Sequence, residues 1–521
     1  MQKGVAFIKG IQKFFFNALI LSGASIFIRA ILVYFNAYVS TVAGAEAMGL
    51  ITLISSVYGF AITLATSGIN LAVVRLVSAS YAKGDGGARK IMRCAFIYAF
   101  SFSLVTSVIL FASANNIGAY LLGDLRTVFS LKLFALSLVP IAISSVLNGY
   151  FCAVRRVYKN VISQFFEQGV KIAASSFLLF LIGPFGVESA CVSVVLGSVV
   201  AEIGSVIISL ILYFFDRKIH CRNEKIGVKK EKYFDKVFFS AFPLGVSAYI
   251  RSALSVIEHL SIPWGLKKSG ASSSLALATY GILHAMVVPL ILFPSCILGS
   301  FSSLLVPELS ASYAKGDSLR CRYIVSRVFS LSLLFSILVS GIFMSYAYEI
   351  GYYLYDSYEV GELLRLLSPL IPLMYLDGSV DAMLKGLGEQ IYCMRVNIAD
   401  SIISVILIVT MLPSFGMKGY IAVIFITELL NTSLSIIKLL DITKIKAPII
   451  KWVIKPIGSI ALASLVTRLI FSSVEAHSLI VIGIKIFLTA LIYAIASRIS
   501  GAISKDDVLW GKGIFKKEKP S

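Results

Sequence analysis

The stretch Ser78-Ala79-Ser80-Tyr81-Ala82-Lys83-Gly84-Asp85 returns, residue for residue, as Ser310-Ala311-Ser312-Tyr313-Ala314-Lys315-Gly316-Asp317, 232 positions later. Eight identical residues in so apolar a chain mark an internal duplication. The match extends outward at the same offset: Tyr120, Leu122 and Asp124 align with Tyr352, Leu354 and Asp356, and Pro140 aligns with Pro372. Pro184-Phe185-Gly186-Val187 lines up with Ser414-Phe415-Gly416-Met417, and Gly23-Ala24-Ser25-Ile26-Phe27-Ile28-Arg29 resembles Gly245-Val246-Ser247-Ala248-Tyr249-Ile250-Arg251. That last offset is 222, which implies an indel of about ten residues; the repeat covers roughly 14–215 and 237–440. Duplicated halves within a membrane are a common plan for transporters, with the substrate path between them.

The octapeptide itself reads as helix punctuation. Lys83 or Lys315 suits the negative end of a helix, and Gly84 or Gly316 can take the left-handed cap. Asp85 or Asp317 can then cap the start of the next helix. The repeat reports architecture first and a substrate contact second.

The composition fits that reading. Of 521 residues, 58% are hydrophobic and 14% charged, and the mean hydropathy is +0.89. This is far too apolar for a soluble globule. Apolar runs long enough to span a bilayer as helices recur fourteen times, at roughly 14–40, 48–80, 91–113, 131–153, 161–182, 187–215, 237–262, 275–311, 323–346, 363–384, 391–412, 417–440, 449–471 and 478–500. The short turns between them leave no room for a soluble catalytic domain. The largest interruption, Asp216–Lys236, links the two repeats. The first apolar run is too long for the apolar core of a signal peptide and is expected to remain as a helix.

Lys and Arg gather at Lys3, Lys9 and Lys13, around Lys83–Arg93, Arg155–Lys159, Arg217–Lys236, Lys315–Arg322, Lys444–Lys455 and Lys505–Lys519. With fourteen spans these segments share one face, while the opposite loops hold mainly Arg126, Lys132, Lys267, Lys268 and Lys418. The positive-inside rule then places both termini in the cytoplasm. The net charge of +20 is therefore topogenic, with affinity for anionic membrane lipids, and a nucleic-acid partner is excluded. The segment Lys505–Lys519, with Trp510 and Phe515 among lysines, reads as a tail on the inner leaflet or as a solvated one. Seven cysteines (Cys94, Cys152, Cys191, Cys221, Cys296, Cys321 and Cys393) show no metal-ligand spacing and read as packing residues.

Charges in mid-membrane carry the functional signal, because each costs about 2.5–3.5 kcal/mol on insertion scales and faces a cavity or a partner. Ser22, Ser25, Arg29 and Asn36 share a face of the first span; Ser247, Arg251, Ser255 and Glu258 share a face of the seventh. Arg29 and Arg251 thus hold matching places in the two halves. Gln164, Glu167, Lys171 and Ser175 form a third stripe on the fifth span. A cavity holding Arg29, Arg251 and Lys171, with Ser25 and Ser247, would be net positive and suited to a phosphate or diphosphate. The competing reading is internal ion pairs that fix helix packing, such as Arg251 with Glu258.

The second half is richer in acids and amides. Asn397, Asp400, Ser401 and Ser404 line one face of the eleventh span, and Glu428, Asn431 and Ser435 one face of the twelfth. Such oxygens suit Na⁺ or a relayed proton, or serve as interhelical hydrogen-bond glue. Asp377, Asp381 and Lys385 point to a local ion pair on the tenth span. His259 and His284 read as single structural histidines. Pro289 and Pro294 interrupt the eighth span as a candidate gate, and Pro140 and Pro372 are candidate matching hinges.

Fourteen spans, two six-helix halves, the paired Ser-Tyr-Ala-Lys-Gly-Asp turns and the Pro307-Glu308-Leu309-Ser310 lead-in resemble the multidrug/oligosaccharidyl-lipid/polysaccharide (MOP) exporter superfamily. Within it the chain is most similar to the stage V sporulation protein B and polysaccharide-transport branch, related to lipid II flippases. The resemblance implies an alternating-access flippase that moves an undecaprenyl-diphosphate-linked saccharide from the inner to the outer leaflet. It implies no catalytic residue, no cofactor and coupling to Na⁺ or H⁺, with Asn397, Asp400 and Glu428 as the nearest cation ligands and Glu258 as a less certain seventh-helix acid. The extra pair of spans at the C-terminus resembles the lipid-tail groove of lipid II flippases.

The expected fold is an all-α integral membrane protein, a monomer in the bacterial plasma membrane. Its parts are a six-helix lobe at 1–216, a cytoplasmic linker at 217–236, a second six-helix lobe at 237–441, a helix pair at 442–500 and a basic tail at 501–521. A cation-coupled multidrug exporter is the alternative, with Glu258 and Asp377 or Asp381 resembling its acids; Arg29 in the first span would repel its cationic substrates. A membrane-embedded transferase on lipid-linked sugars is remote, because acids and histidines do not cluster at one interface.

Overall fold

A computed structural model of the chain describes residues 2–66, 68–83, 87–220, 233–445, 448–472 and 478–503. Among these residues the regular structure is entirely helical. An apolar chain in lipid must satisfy every backbone N–H and C=O internally, and the helix does so within one segment. Among the described residues, helix occupies most of each of the fourteen stretches where the sequence predicts a span. Eleven runs among the described residues are long and apolar enough to cross a membrane. Two of these, Ile26–Tyr81 and Gln390–Thr443, exceed 50 residues, about twice what one crossing needs. The helix α7 (Tyr233–Lys268), which carries Arg251, Glu258 and His259, is not among the eleven.

Two glycines divide the double-length helices. Gly44 (φ 81°) kinks α1 (Gln2–Thr66), and Gly416 (φ 55°) kinks α14 (Gln390–Thr443). Both lie in the gaps that separate expected spans, and positive φ is open to glycine at little cost. α4 (Val128–Ala153) contains Pro140 in its interior, and Pro372 lies just after a 3₁₀ turn at Ser368–Leu370 that joins α12 (Tyr358–Leu367) to α13 (Ile371–Gly386) in one continuous helical run. The expected interruption near Pro289 and Pro294 is present: α8 (Ser273–Gly281) passes through a π-turn at Ile282–Val287 into the short α9 (Val288–Leu292), and α10 (Ser295–Ala314) follows.

The chain packs as two compact units. One comprises residues 1–285 with 401–420, the other 286–400 with 421–521. The first holds α1 to α8, including α2 (Ile69–Lys83), α3 (Ala88–Asn116), α5 (Tyr158–Ile182) and α6 (Val187–His220). Its core joins Ile69, Val73 and Val77 of α2 to Ala95 and Tyr98 of α3, Val146 and Tyr150 of α4, and Val237 and Ala241 of α7. The second unit centres on α11 (Ser318–Tyr355), whose Val325, Phe329 and Leu333 pack with Val380 and Met383 of α13, Leu439 of α14 and Trp452. The C-terminal pair, α15 (Lys455–Ile470) and α16 (Leu479–Ile499), docks on α11 in this unit. Tyr493 Oη donates to the Leu334 carbonyl at 2.8 Å, and Tyr346 and Thr489 share a hydrogen bond of 2.8 Å. The other side of the pair leaves Leu465, Leu469, Ile484 and Phe487 exposed, as lipid contact requires.

The duplication is visible in the backbone. Ser78 of the first octapeptide donates to the carbonyl of Ala153, the last residue of α4, and Ser310 of the second to that of Gly386, the last of α13. In the second copy Gly316 takes φ 73° and the Asp317 carboxylate caps α11 at the Arg320 N–H, 3.0 Å away. Gly84 and Asp85 of the first copy lie outside the described residues, as do Cys221 and the Lys505–Lys519 tail. The six other cysteines are free.

Candidate functional site

Three polar groups in the helical interior gather residues of functional interest, two in the first unit and one in the second. The first grows from the stripe on α5. Glu167 and Lys171 stand one helical turn apart, and α6 presents Glu202 to them; both carboxylates lie within electrostatic range of the Lys171 ammonium. Ser205 of α6 donates to Glu167 Oε2 at 3.1 Å. These three charged side chains line a cavity of about 180 Å³ with Ser55, Tyr58 and Phe134. Tyr58 stacks on Phe134 with centroids 3.8 Å apart and shares a hydrogen bond with Ser137. Two carboxylates against one ammonium make this cavity acidic overall, so Lys171 is provided with counter-charges of its own. Arg29 and Arg251 are not among its lining residues. Glu202 was not singled out from the sequence. The signal was present, since Ser198, Glu202, Ser205 and Ser209 follow one another at helical spacing on α6.

Arg29 on α1 and Arg251 on α7 both belong to the first unit, and both side chains are exposed. α1 packs against α7, and Thr63 Oγ1 reaches Ser252 Oγ, beside Arg251, at 3.3 Å. Neither arginine forms an ion pair among the described residues. The specific pairing that would have made Arg251 structural is not formed: Glu258 Oε1 accepts from Ser404 Oγ at 2.6 Å instead. The side chains of Ser25 and Ser247 lie outside the described residues.

The second group brings together the two histidines that the sequence reads as separate; a structural role is not contradicted. His259 Nδ1 bonds the Tyr280 hydroxyl at 2.9 Å, His284 Nε2 bonds the Tyr420 hydroxyl at 2.8 Å, and the two imidazole centroids are 5.0 Å apart. Glu258 lies within electrostatic range of both tyrosines. α7 and α8 are joined by a short turn, so residues 25 positions apart in sequence meet across that hairpin. Beside them α1 and α8 cross in backbone contact. A Cβ on Gly49 would lie 1.9 Å from the Leu277 carbonyl oxygen, and one on Gly281 would lie 2.4 Å from that of Ala45. At one end of this crossing Arg126 binds both Glu46 (2.9 Å) and Asp124 (2.7 Å), while Ser274 donates to Glu46. Burial raises the Asp124 carboxyl, but hydrogen bonds from Arg126 outweigh it and hold the group below its ordinary range.

The third group, in the second unit, consists of acids. Glu428 of α14 lies within electrostatic range of Asp377 of α13 and of Asp400, earlier on α14. Thr432 Oγ1 donates to Glu428 Oε1 at 3.3 Å. One turn from Glu428, the buried Oδ1 of Asn431 finds no hydrogen-bond donor among the described residues. Asn397 lies one turn before Asp400 on the same helix, partly buried. The expected ion pair on α13 is formed, with Lys385 Nζ 2.7 Å from Asp381 Oδ2. Glu258, grouped with these acids on sequence grounds, belongs to the other unit and to the histidine–tyrosine group. Among the described residues no three His, Cys, Asp or Glu side chains converge closely enough to hold a metal ion.

The profile of the family described as "Polysaccharide biosynthesis protein" matches residues 15–313. Stage V sporulation protein B of Bacillus subtilis (strain 168) is 25% identical over 506 residues, 95% of this chain and 97% of that protein. Among solved structures, the lipid II flippase MurJ in an inward closed conformation aligns with a TM-score of 0.68 at 15% identity, covering 92% of this chain and 98% of that one. An inward-facing multidrug resistance MATE family transporter of the MOP superfamily aligns with a TM-score of 0.63 at 13% identity, over 82% of this chain and all of that one. At such identities the structural likeness speaks to the fold, a multi-pass helical membrane protein of the MATE/MurJ type.

Proposed function

This chain belongs to the polysaccharide biosynthesis protein family, a family of MOP transporters rather than enzymes, and on that premise we propose that it flips an undecaprenyl-diphosphate-linked saccharide from the inner to the outer leaflet. The observation that carries the reading is the pair Arg29 and Arg251: repeat-matched, exposed, and without an ion pair among the described residues. Two guanidinium forks in the membrane-spanning region need an anionic partner, and a diphosphate supplies one with matching geometry. The full-length likeness to stage V sporulation protein B supports a lipid-linked precursor in envelope or spore-cortex synthesis. In this reading both termini and the octapeptide turns are cytoplasmic, Ser25 and Ser247 assist the arginines, and the apolar side of α15 and α16 faces the lipid tail. The halves at 1–216 and 237–441 are the lobes that alternate. Lys171 is an internal counter-charge to Glu167 and Glu202. Asn397, Asp400 and Glu428, joined by Asp377, handle the coupling cation, Na⁺ or H⁺.

The test is reconstitution. Vesicles carrying the protein should reorient a labelled lipid-linked saccharide, and Arg29→Ala with Arg251→Ala should abolish the movement while leaving the folded yield unchanged. Full activity in that double variant rules out the arginine site. The acidic, aromatic-lined cavity at Glu167 and Glu202 favours a second reading, a cation-coupled multidrug exporter. Ethidium efflux driven by a Na⁺ or H⁺ gradient, without saccharide movement, would establish it.

A further inference from the structure

The histidine–tyrosine group plays no part in the substrate reading, yet its geometry is that of a site. Each imidazole spends one ring nitrogen on its own tyrosine, at 2.9 Å for His259 and 2.8 Å for His284. The rings abut at 5.0 Å, and Tyr280 lies 4.8 Å from His284, closing the group. Tyr280 and Tyr420 are fully buried. A phenol both donates and accepts, so each tyrosine can follow a change in the protonation of its histidine without losing its hydrogen bond.

The surrounding charges set the sign. α7 supplies Glu258, held at 2.6 Å by the hydroxyl of Ser404. Its Arg251 lies two turns earlier, about 10 Å along the axis, and Lys267 about 13 Å beyond Glu258; Lys268 lies over the Trp264 ring. α8 and the π-turn supply Tyr280 and His284. The part of α14 in this unit supplies Ser404 and Tyr420, with Lys418 its one charge. α1 brings Asn36, whose Nδ2 donates to the Ala285 carbonyl at 3.3 Å, together with Arg29 and Glu46; Glu46 is engaged by Arg126 and Ser274. α2 and α3 meet α7 around Val237 and Ala241, so Arg75, Arg89, Lys90 and Arg93 serve the far end of that helix, about 27 Å from His259.

We propose that His259 and His284 form a proton-binding site inside the first unit, with Glu258 as its fixed counter-charge. The proton adds to the lone pair of one imidazole nitrogen and no other bond is broken. Two imidazolium rings 5 Å apart would repel strongly, so the pair holds one proton. Its place in the chain makes occupancy consequential. His284 lies in the π-turn at Ile282–Val287, and Tyr420 lies four residues beyond the Gly416 kink. Irregular turns of this kind collect at functional sites because they hold alternative hydrogen-bond registers.

The test uses the full-length protein in lipid nanodiscs with ring-¹⁵N histidine. The chain has four histidines, at positions 220, 259, 284 and 477, and single His→Gln variants assign the signals. Between about pH 5 and pH 8, the range in which a counter-charge can hold an imidazole's titration, the His259 and His284 signals should move together in one step. Glu258→Gln should displace that step to lower pH by at least about one unit, a tenfold loss of proton affinity. Should Glu258→Gln give no folded protein, Ser404→Ala serves: loss of the donor to the carboxylate should move the step to higher pH. Rings locked in one tautomer across the range, or a step unmoved by these variants, would overturn the proposal. No lipid substrate enters the measurement, so its outcome is independent of the flippase reading.

Discussion

The polar group at Glu167, Lys171 and Glu202 and the group at Asp377, Asp400 and Glu428 solve one problem in opposite ways. In the first unit a lysine from the protein lies within reach of both acids and a cavity surrounds them. In the second, Glu428 lies within electrostatic range of Asp377 and Asp400, while Lys385, near Asp377, is bound to Asp381. A buried carboxylate must find a cation or a proton, because its desolvation is costly. The first group carries one ammonium for its two carboxyl groups, so half of its counter-charge is built in as a side chain. In the second, the electrostatic neighbours of Glu428 include two further acids, Asp377 and Asp400, so its charge balance differs from that of the first group.

Substitution should separate the two. Lys171→Met removes the built-in cation and leaves two acids facing a low-dielectric cavity, so a loss of about 3–5 kcal/mol is expected, read as a large fall in the thermal midpoint in detergent. Adding Glu202→Gln should recover much of that loss, as a coupled pair requires. A single Lys171→Met variant as stable as the parent would break the comparison. In the second unit the sign reverses. Asp400→Asn or Glu428→Gln relieves like-charge repulsion, so the midpoint should hold or rise, while gradient-driven transport falls tenfold or more, about 1.4 kcal/mol in barrier. Transport that survives both variants would show those acids to be packing residues. The smallest effect concerns the repeat. Asp317→Ala removes the cap of α11 and should cost about 1 kcal/mol, and Asp85→Ala should cost the same if both octapeptides build the same turn. A clear inequality between them would show where the halves have diverged.

Much of the fold was legible. Gly316 and Asp317 adopt the roles their residue types imply, and the breaks expected near residues 44 and 416 fall on Gly44 and Gly416, where positive φ ends one helix and lets another begin. The proline pair was less legible. Pro140 and Pro372 align in sequence and both fall within continuous helical runs, but only Pro372 follows a 3₁₀ turn, which the alignment cannot show. In the sites, Glu167 and Lys171 were legible as a stripe, and Glu202 was overlooked although its own stripe was present. That the two histidines meet was not legible, because each was judged on its own helix and Tyr280 and Tyr420 come to His259 and His284 from other parts of the chain.

By itself the sequence determined the helical membrane class, the duplication and the polar face of each helix. These follow from composition and from a period of 3.6 residues, which are properties of neighbours along the chain. Tertiary structure alone decided that Lys171 meets two acids, that Glu258 binds Ser404 rather than Arg251, and that His259 meets His284. Those outcomes depend on how each helix is rotated and how closely it approaches the next. At Gly49 and Gly281 the approach is tight enough for backbones to touch. Rotation and approach are set by the summed packing of whole faces, which no short stretch of the chain contains.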